Sequence, residues 1–272
     1  MARPTRNNSG RNVPRPSAKP ARSGRWRNGN VPVLGLIGGI GSGKTLVGSM
    51  LGERGAIVVE ADKVGHSLID QRPARDKIIQ RFGSRVLDLT RSDEAQPPID
   101  RKALGAIVFS DPVARKDLEA ILHPSMKKTF ERVIDRAGRR PKTTAVVIDA
   151  AVLFEAGWNQ LCDAVLFVDS PRDQRLARLA ATRGWTSEML DARESAQLPL
   201  ADKKARADHV IRNDADLTHL QESVESFWTG WTASSRTSSK RRPSTASGRT
   251  SNPSGDPSAS GGDPPPSPDD PA

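Results

Sequence analysis

The stretch that decides the fold is Val31-Pro-Val-Leu-Gly-Leu-Ile37, which runs directly into Gly38-Gly-Ile-Gly-Ser-Gly43-Lys44-Thr45. The first half is a short apolar run, which is the pattern of a strand buried on both faces. The second half matches the phosphate-binding loop pattern in full, and the spacing predicts a helix from Lys44 to Arg54. Glycines let the main chain wrap around phosphates, and a helix start offers unpaired N–H groups to an anion. The sequence therefore predicts an ATP or GTP site.

Two residues at the end of this loop have distinct predicted roles. Lys44 is expected to reach the β and γ phosphates, and Thr45 is expected to offer its hydroxyl to Mg²⁺. The alternative is a glycine-rich turn without a ligand, which the flanking strand and helix disfavour. The predicted nucleotide-binding residues are those of the loop and of the start of the helix: Gly39, Ile40, Gly41, Ser42, Gly43, Lys44, Thr45 and Leu46.

Four further short apolar or β-branched runs repeat the strand pattern. They are Ala56–Glu60, Thr144–Asp149, Ala164–Asp169 and His209–Arg212. Helical stretches separate the runs, so the strands cannot pair through hairpins. The prediction is an α/β fold with a doubly wound, parallel, five-stranded sheet that has helices on both faces.

Uneven spacing between the strands predicts two insertions into a core of residues 31–61, 142–175 and 207–231. Residues 62–141 contain only helical patterns and are interpreted as an inserted helical subdomain. The predicted helices there are Pro73–Phe82, Arg101–Phe109, Pro112–Leu122 and Pro124–Ala137. Residues 176–206 have the composition of a mobile lid. A last helix, Asp216–Trp231, has apolar residues at helical spacing and would close the core.

The net charge of +10 over 272 residues does not indicate a nucleic-acid groove. Residues 1–30 contain eight basic residues and no acid, whereas residues 31–231 contain 29 basic and 28 acidic residues. The excess charge thus lies on a predicted disordered arm, which could bind anions weakly. Residues 232–272 are rich in Ser, Pro and Gly and are also predicted to be disordered.

The chain has one cysteine, Cys162, which cannot form a disulfide within the chain. This fits a reducing compartment or a cysteine with no redox role, such as a buried apolar residue. No apolar run of membrane-spanning length and no secretory signal pattern are present. We therefore expect a cytoplasmic protein that does not contact a membrane. The pattern leaves the oligomeric state open.

Two carboxylates follow predicted strands. Asp62 follows the second strand and Asp149 ends the third. The carboxyl ends of strands in a doubly wound sheet open onto one crevice. Asp62 could accept a proton from an acceptor hydroxyl or, with Thr45 and Asp149, hold Mg²⁺. The structural alternatives are a helix N-cap for Asp62 and a turn aspartate for Asp149. Ala150, where hydrolytic ATPases of this type place a glutamate, argues against that class.

Basic residues outside the loop are weaker candidates. Arg178, Arg183 and Arg193 lie in the predicted lid, where a closing segment could neutralise charge on a transferring phosphoryl group. The alternative is a solvated helix face. His66 and His123 have no metal-ligand neighbours in sequence, and a capping or packing role is the alternative for each.

Taken together, the motifs of residues 33–228 resemble the dephospho-coenzyme A kinase family. The resemblance rests on residues 35–45, Glu60-Ala-Asp62, Leu122-His-Pro124, residues 149–155, Gln197, Lys203, Ala207-Asp208 and Val210-Ile211. It implies a P-loop kinase fold and transfer of the ATP γ-phosphoryl group to the ribose 3′-hydroxyl of dephospho-CoA with Mg²⁺. It also implies Asp62, Lys44 and Arg178 as catalytic residues, and His66, His123 and Arg193 as substrate-binding residues.

The sequence departs from the family pattern at four positions. Glu60 replaces an aspartate, His66 an arginine, Leu46 a hydroxyl residue and Ala151 a proline. None of the four removes a group that the chemistry requires. Another small-molecule kinase, such as a nucleoside monophosphate kinase, is the nearest alternative, although the long insertion disfavours it. A nucleic-acid-associated ATPase is a second alternative. A GTPase is disfavoured because the chain has no Asn-Lys pair.

Overall fold

Five parallel strands form one sheet in the computed structural model, which describes residues 31–91 and 97–239. The predicted basic arm and the greater part of the predicted tail lie outside the described residues. The strands are β1 (Val33–Gly38), β2 (Ala56–Glu60), β3 (Ala145–Asp149), β4 (Ala164–Asp169) and β5 (His209–Arg212). Their order across the sheet is β2-β3-β1-β4-β5, so the chain winds outward in both directions from β1. The predicted α/β class with a parallel, doubly wound sheet is confirmed.

Helices connect the strands of the described residues. They are α1 (Lys44–Glu53), α2 (Ala61–Leu68), α3 (Ala74–Phe82), α4 (Arg101–Ser110), α5 (Pro112–Ala137), α6 (Arg172–Arg183), α7 (Ser187–Glu194), α8 (Leu200–Arg206) and α9 (Leu217–Ser239). Helices α2 to α5 lie between β2 and β3, and α6 to α8 lie between β4 and β5. Within the described part of the chain, none of these helices combines the length and the apolarity needed to cross a membrane.

Alternating side chains of the strands build two apolar cores. On one face, Leu34 and Leu36 of β1 pack in a cluster with Val47 of α1 and with Val224 and Trp228 of α9. On the other face, Val33 and Ile37 join a second cluster that includes α5 and the residues after β3. Successive side chains of a strand point to opposite faces, so each strand stabilises both layers. The two covered faces leave the carboxyl ends of the strands open.

Helix α5 continues through Pro124, where the sequence predicts two separate helices. A proline inside a helix removes a backbone hydrogen bond and costs about 3 kcal/mol. However, Leu122, Met126 and Phe130 are all buried, so the apolar stripe passes Pro124 without a break while Pro124 itself is exposed. Packing of this stripe outweighs the local penalty and keeps the helix continuous.

Helix α9 extends to Ser239, although the prediction ends it at Trp231. No proline occurs between Trp231 and Ser239, and the Thr232 hydroxyl donates to the carbonyl oxygen of Trp228 at 2.7 Å. This bond lets the threonine satisfy its hydroxyl without ending the helix. The first eight residues of the predicted disordered tail therefore have a helical backbone.

Candidate active site

The loop between β1 and α1 presents main-chain donors to an open cavity. Gly43 precedes α1 in the left-handed conformation, with φ +94°, which glycine adopts without a steric penalty. The N–H of Ser42 donates to the carbonyl of Gly39 at 3.1 Å. In contrast, the N–H groups of Gly41, Gly43, Lys44 and Thr45 have no partner among the described residues. Together with the positive end of α1, these donors form an anion-binding cradle.

Two polar side chains that the sequence analysis did not single out hold this loop in place. The Asn213 side chain, just after β5, donates to the carbonyl of Ser42 at 2.8 Å. Arg175 of α6, which is buried, donates to the carbonyl of Ile40 at 3.0 Å and forms an ion pair with Glu194 at 2.5 Å. Asn213 follows a strand directly, and Asp62 and Asp149 also lie at the ends of strands, so this position was a usable signal in the sequence. Nothing in the sequence singles out Arg175.

Strand register brings the acidic residues to the same cavity. Glu60 and Asp149 are direct register partners at the ends of β2 and β3, and Asp62 lies in the first turn of α2. The cavity has a volume of about 500 Å³, and its wall contains Lys44, Thr45, Asp62, Asp149 and Arg178. Gly39 and Leu46 are next to the cavity in sequence but are not on its wall. The structure thus brings together the predicted phosphate-binding lysine, the hydroxyl and both carboxylates.

Lys44 points its ammonium group back over the loop. Its Nζ donates to the carbonyls of Gly38 and Gly39 at 3.3 and 3.4 Å. Burial lowers the pKa of Lys44, and the nearby Asp149 and Asp62 carboxylates partly offset this effect. Both carboxylates are therefore close enough to act on this ammonium group. The long hydrogen bonds leave it able to exchange a carbonyl for a phosphate oxygen.

Asp149 is buried at the floor of the cavity. Burial raises its pKa from an ordinary 3.8 to about 6, and the charges of Asp62 and Glu60 act in the same direction. Lys44 acts in the opposite direction and lowers the pKa. A cation placed in the cavity would therefore relieve repulsion among these carboxylates.

The polar groups of the cavity fit a magnesium ion. Thr45, Asp62 and Asp149 supply oxygen ligands, which Mg²⁺ prefers. Within the ranges that the structure describes, no group of three or more His, Cys, Asp and Glu side chains could hold a metal ion alone. Mg²⁺ usually binds through one or two carboxylates together with substrate phosphates and water.

The predicted lid arginines occupy different surroundings. Arg178 of α6 lies on the cavity wall, and its terminal nitrogens donate to the carbonyls of Gly41 and Asn213 at 3.4 and 3.2 Å. It also donates to the hydroxyl of Ser170 at 2.9 Å. Arg183 is exposed on the same wall and forms no ion pair with any described residue. Arg178 therefore ties α6 to the phosphate loop. The guanidinium of Arg183 instead lies 5.4 Å from the ring centre of Trp185, which is on the same cavity wall.

Three predicted substrate-binding residues lie away from the cavity wall. His66 is exposed in the last turn of α2. His123 of α5 is half-buried, with its ring 4.9 Å from that of Trp158, and burial lowers its pKa. Arg193 of α7 lies 4.1 Å from the ring of Trp185 and 5.2 Å from that of Phe109. The structure does not group these three residues with the phosphate loop.

The geometry above is accompanied by close similarity to known proteins. Residues 32–219 match the family model described as dephospho-CoA kinase. The dephospho-CoA kinase of Symbiobacterium thermophilum is 39% identical over 197 residues, which cover 72% of this chain and 80% of that protein. The dephospho-CoA kinase of Synechococcus sp. strain CC9605 is 40% identical over 181 residues, 66% of this chain and 84% of that protein.

A solved structure shares the fold. The crystal structure of TT1252 from Thermus thermophilus superposes with a TM-score of 0.62 at 28% sequence identity, covering 74% of this chain and 98% of that one. The family match spans well over half of the sequence, and it includes the loop, both carboxylates and helices α6 to α8. This chain belongs to the dephospho-CoA kinase family, and the match runs from the start of β1 to the first turn of α9.

Proposed function

We propose that this chain transfers the γ-phosphoryl group of ATP to the ribose 3′-hydroxyl of dephospho-CoA, which gives coenzyme A in the last step of its synthesis. The observation that carries the proposal is one cavity with unpaired loop N–H groups and Lys44 on one side and the carboxylates of Asp62 and Asp149 on another. Phosphoryl transfer requires little more than positioning and charge stabilisation, and this arrangement supplies both.

Each side chain of the cavity has a specific role in the proposal. Lys44 and the loop N–H groups bind the β and γ phosphates. Asp62, exposed on the cavity wall, orients the acceptor hydroxyl and accepts its proton. Arg178 and Arg183 neutralise charge on the transferring group as the lid closes and excludes water.

Bound Mg²⁺ would neutralise charge on the phosphates. Thr45 and Asp149 would hold it, with Asp62 as a further oxygen ligand. The fit rests on hard oxygen donors that surround the loop. His66, His123 and Arg193 are proposed to contact the acceptor substrate as it enters from the helical insertion. We further expect the reaction to occur in the cytoplasm.

An acceptor-selectivity assay tests the proposal. Purified protein is given ATP and Mg²⁺ with dephospho-CoA, AMP, CMP or shikimate, and ADP release is measured with and without RNA. We expect turnover with dephospho-CoA alone, a product phosphorylated at the ribose 3′ position, and none of this with Lys44→Ala. Folded protein that turns over ATP with another acceptor, or only with RNA, would overturn the proposal.

A further inference from the structure

Lys203 of α8 is fully buried although its side chain is charged, with 0% of its surface exposed. Its ammonium group donates to the carbonyl of Ala151 at 2.7 Å and to the side-chain oxygen of Gln197 at 2.9 Å, and it forms an ion pair with Glu155 at 2.8 Å. An ammonium group has three donors, so all three are satisfied. Burial of a charged group costs free energy. The Lys203 ammonium group can remain buried because each of its three donors has a partner.

These bonds fix Gln197 between α7 and α8. The main-chain N–H of Gln197 donates to the carbonyl of Glu194 at 3.0 Å. The next residue, Leu198, donates its N–H to the Glu155 carboxylate at 2.9 Å. Backbone and side chain of Gln197 are therefore both held, and the amide is preorganised on the wall of the cavity.

The orientation of the Gln197 amide follows from the chemistry of its partner. A lysine ammonium group can only donate, so the amide atom that faces Lys203 must be the acceptor oxygen. The amide nitrogen Nε2 then points away from Lys203. It carries two N–H donors, and neither has a partner among the described residues. Gln197 thus offers a fixed neutral donor to the contents of the cavity.

We propose that Nε2 of Gln197 donates a hydrogen bond to a phosphate oxygen of a bound substrate, with Lys203 holding the amide in that orientation. The inference rests on the proposed function. A phosphate oxygen is the matching acceptor because the cavity wall also carries Lys44, Arg178 and Arg183. A neutral donor adds a directional contact without adding a further charge to a site that already has several.

The phosphate oxygen could belong to ATP or to dephospho-CoA, and two substitutions separate the sources. Gln197→Met removes the donor without adding charge. Gln197→Glu also removes it and keeps an oxygen for Lys203, but it adds a negative charge that repels a phosphate. Gln197→Met is therefore the variant that decides the test. Gln221→Met and Gln221→Glu, on an exposed position of α9, are the matched controls. Steady-state kinetics give kcat and the KM for each substrate, and thermal unfolding checks the fold.

A hydrogen bond to a charged oxygen predicts a rise of about 10- to 100-fold in KM for one substrate in both Gln197 variants. A rise in the KM for ATP assigns the contact to the nucleotide, and a rise in that for dephospho-CoA assigns it to the acceptor. The Gln221 variants should match the wild type. The inference is overturned if Gln197→Met keeps both KM values, or if its only effect is reduced stability. The proposed function fails separately, when the wild type itself does not phosphorylate dephospho-CoA.

Discussion

Asp62 is the residue that we propose accepts the proton of the acceptor hydroxyl. It lies one residue into α2, exposed on the cavity wall, and acts electrostatically on both Lys44 and Asp149. We expect Asp62→Asn to lower kcat by about 100-fold or more, because an amide cannot accept the proton. Affinity for ATP should change little. Turnover assays and ATP-binding calorimetry measure the two quantities.

The control for this substitution is Asp135→Asn, an exposed aspartate on α5 away from the cavity. It should keep the wild-type kcat. An Asp62→Asn variant with normal turnover would show that the carboxylate does not act in the reaction.

Asp149 couples the chemistry of the cavity to the stability of the fold. Its pKa is raised from 3.8 to about 6, so the folded chain keeps a proton that the unfolded chain loses. The folded state binds more protons between these two values, and stability therefore falls as pH rises through this range. Above it, the full cost of the buried carboxylate is present, about 2 to 3 kcal/mol.

Asp149→Asn should remove this cost. In the absence of ligand, we expect the variant to be more stable than the wild type at about pH 8, with a difference that shrinks toward about pH 4. Kinase activity should fall, since the amide is a poorer ligand for Mg²⁺. Urea unfolding at both pH values measures the difference in free energy. If the difference in free energy of unfolding between variant and wild type did not change with pH, the raised pKa of Asp149 would be contradicted.

For single residues, the sequence predicts a site position where that position follows from the place of the residue in a strand or helix. Lys44 and Asp62 come after strands and Asp149 ends one, and parallel strands deliver such residues to one edge of the sheet. The fixing of Gln197 could not be predicted, because it depends on a buried contact with Lys203 that forms only when α8 packs under the loop after β3.

Among the elements, the strand-loop-helix unit depends most on glycine at one position. Gly43 has φ +94° at the start of α1, and an added methyl group would overlap the side-chain amide of Asn213, which supports the loop. We expect Gly43→Ala to lower the free energy of unfolding by about 2 to 4 kcal/mol, from backbone strain and loss of the buried hydrogen bond. ATP affinity should fall as well.

Gly157→Ala separates the two causes. Gly157 is also left-handed, with φ +70°, but no atom lies within 4 Å of an added methyl group. Its variant should lose only the strain energy, about 1 to 2 kcal/mol, and keep ATP affinity. Chemical unfolding and nucleotide binding compare the two. If both variants lost the same free energy of unfolding, backbone strain alone would explain the effect of Gly43→Ala.

The bounds of an element are predicted correctly where the apolar pattern of the sequence sets them. They are predicted wrongly where tertiary packing sets them. The bounds of β2, β4 and β5 agree with their apolar runs. Local rules end a helix at Pro124, yet the buried stripe from Leu122 to Phe130 carries α5 through it. Tertiary contacts of that kind are not encoded in a short window of sequence.

At the scale of the whole molecule, an aromatic contact joins α7 of the predicted lid to α4 of the predicted helical insertion. The guanidinium of Arg193 on α7 lies 4.1 Å from the ring centre of Trp185 and 5.2 Å from that of Phe109, which belongs to α4. Trp185 also forms part of the cavity wall. The contact therefore links α4 and α7, which belong to the two regions that we propose close around a substrate. No spacing rule could have predicted it, since its partners are 76 or more residues from Phe109.

Removing the ring of Phe109 should loosen the lid without unfolding the chain, because Phe109 is already 60% exposed. An exposed cation–π contact is worth about 0.5 to 1 kcal/mol, so Phe109→Ala should speed amide exchange in α7 by about 2- to 5-fold and leave α1 unchanged. Val113→Ala, on an exposed position of α5, is the control. Phe109→Leu keeps an apolar side chain without the ring and should resemble the alanine variant. Hydrogen–deuterium exchange read by mass spectrometry follows both helices. Protection of α7 that survives the loss of the ring would mean that other contacts hold this helix, such as the Arg175–Glu194 and Arg172–Asp191 ion pairs.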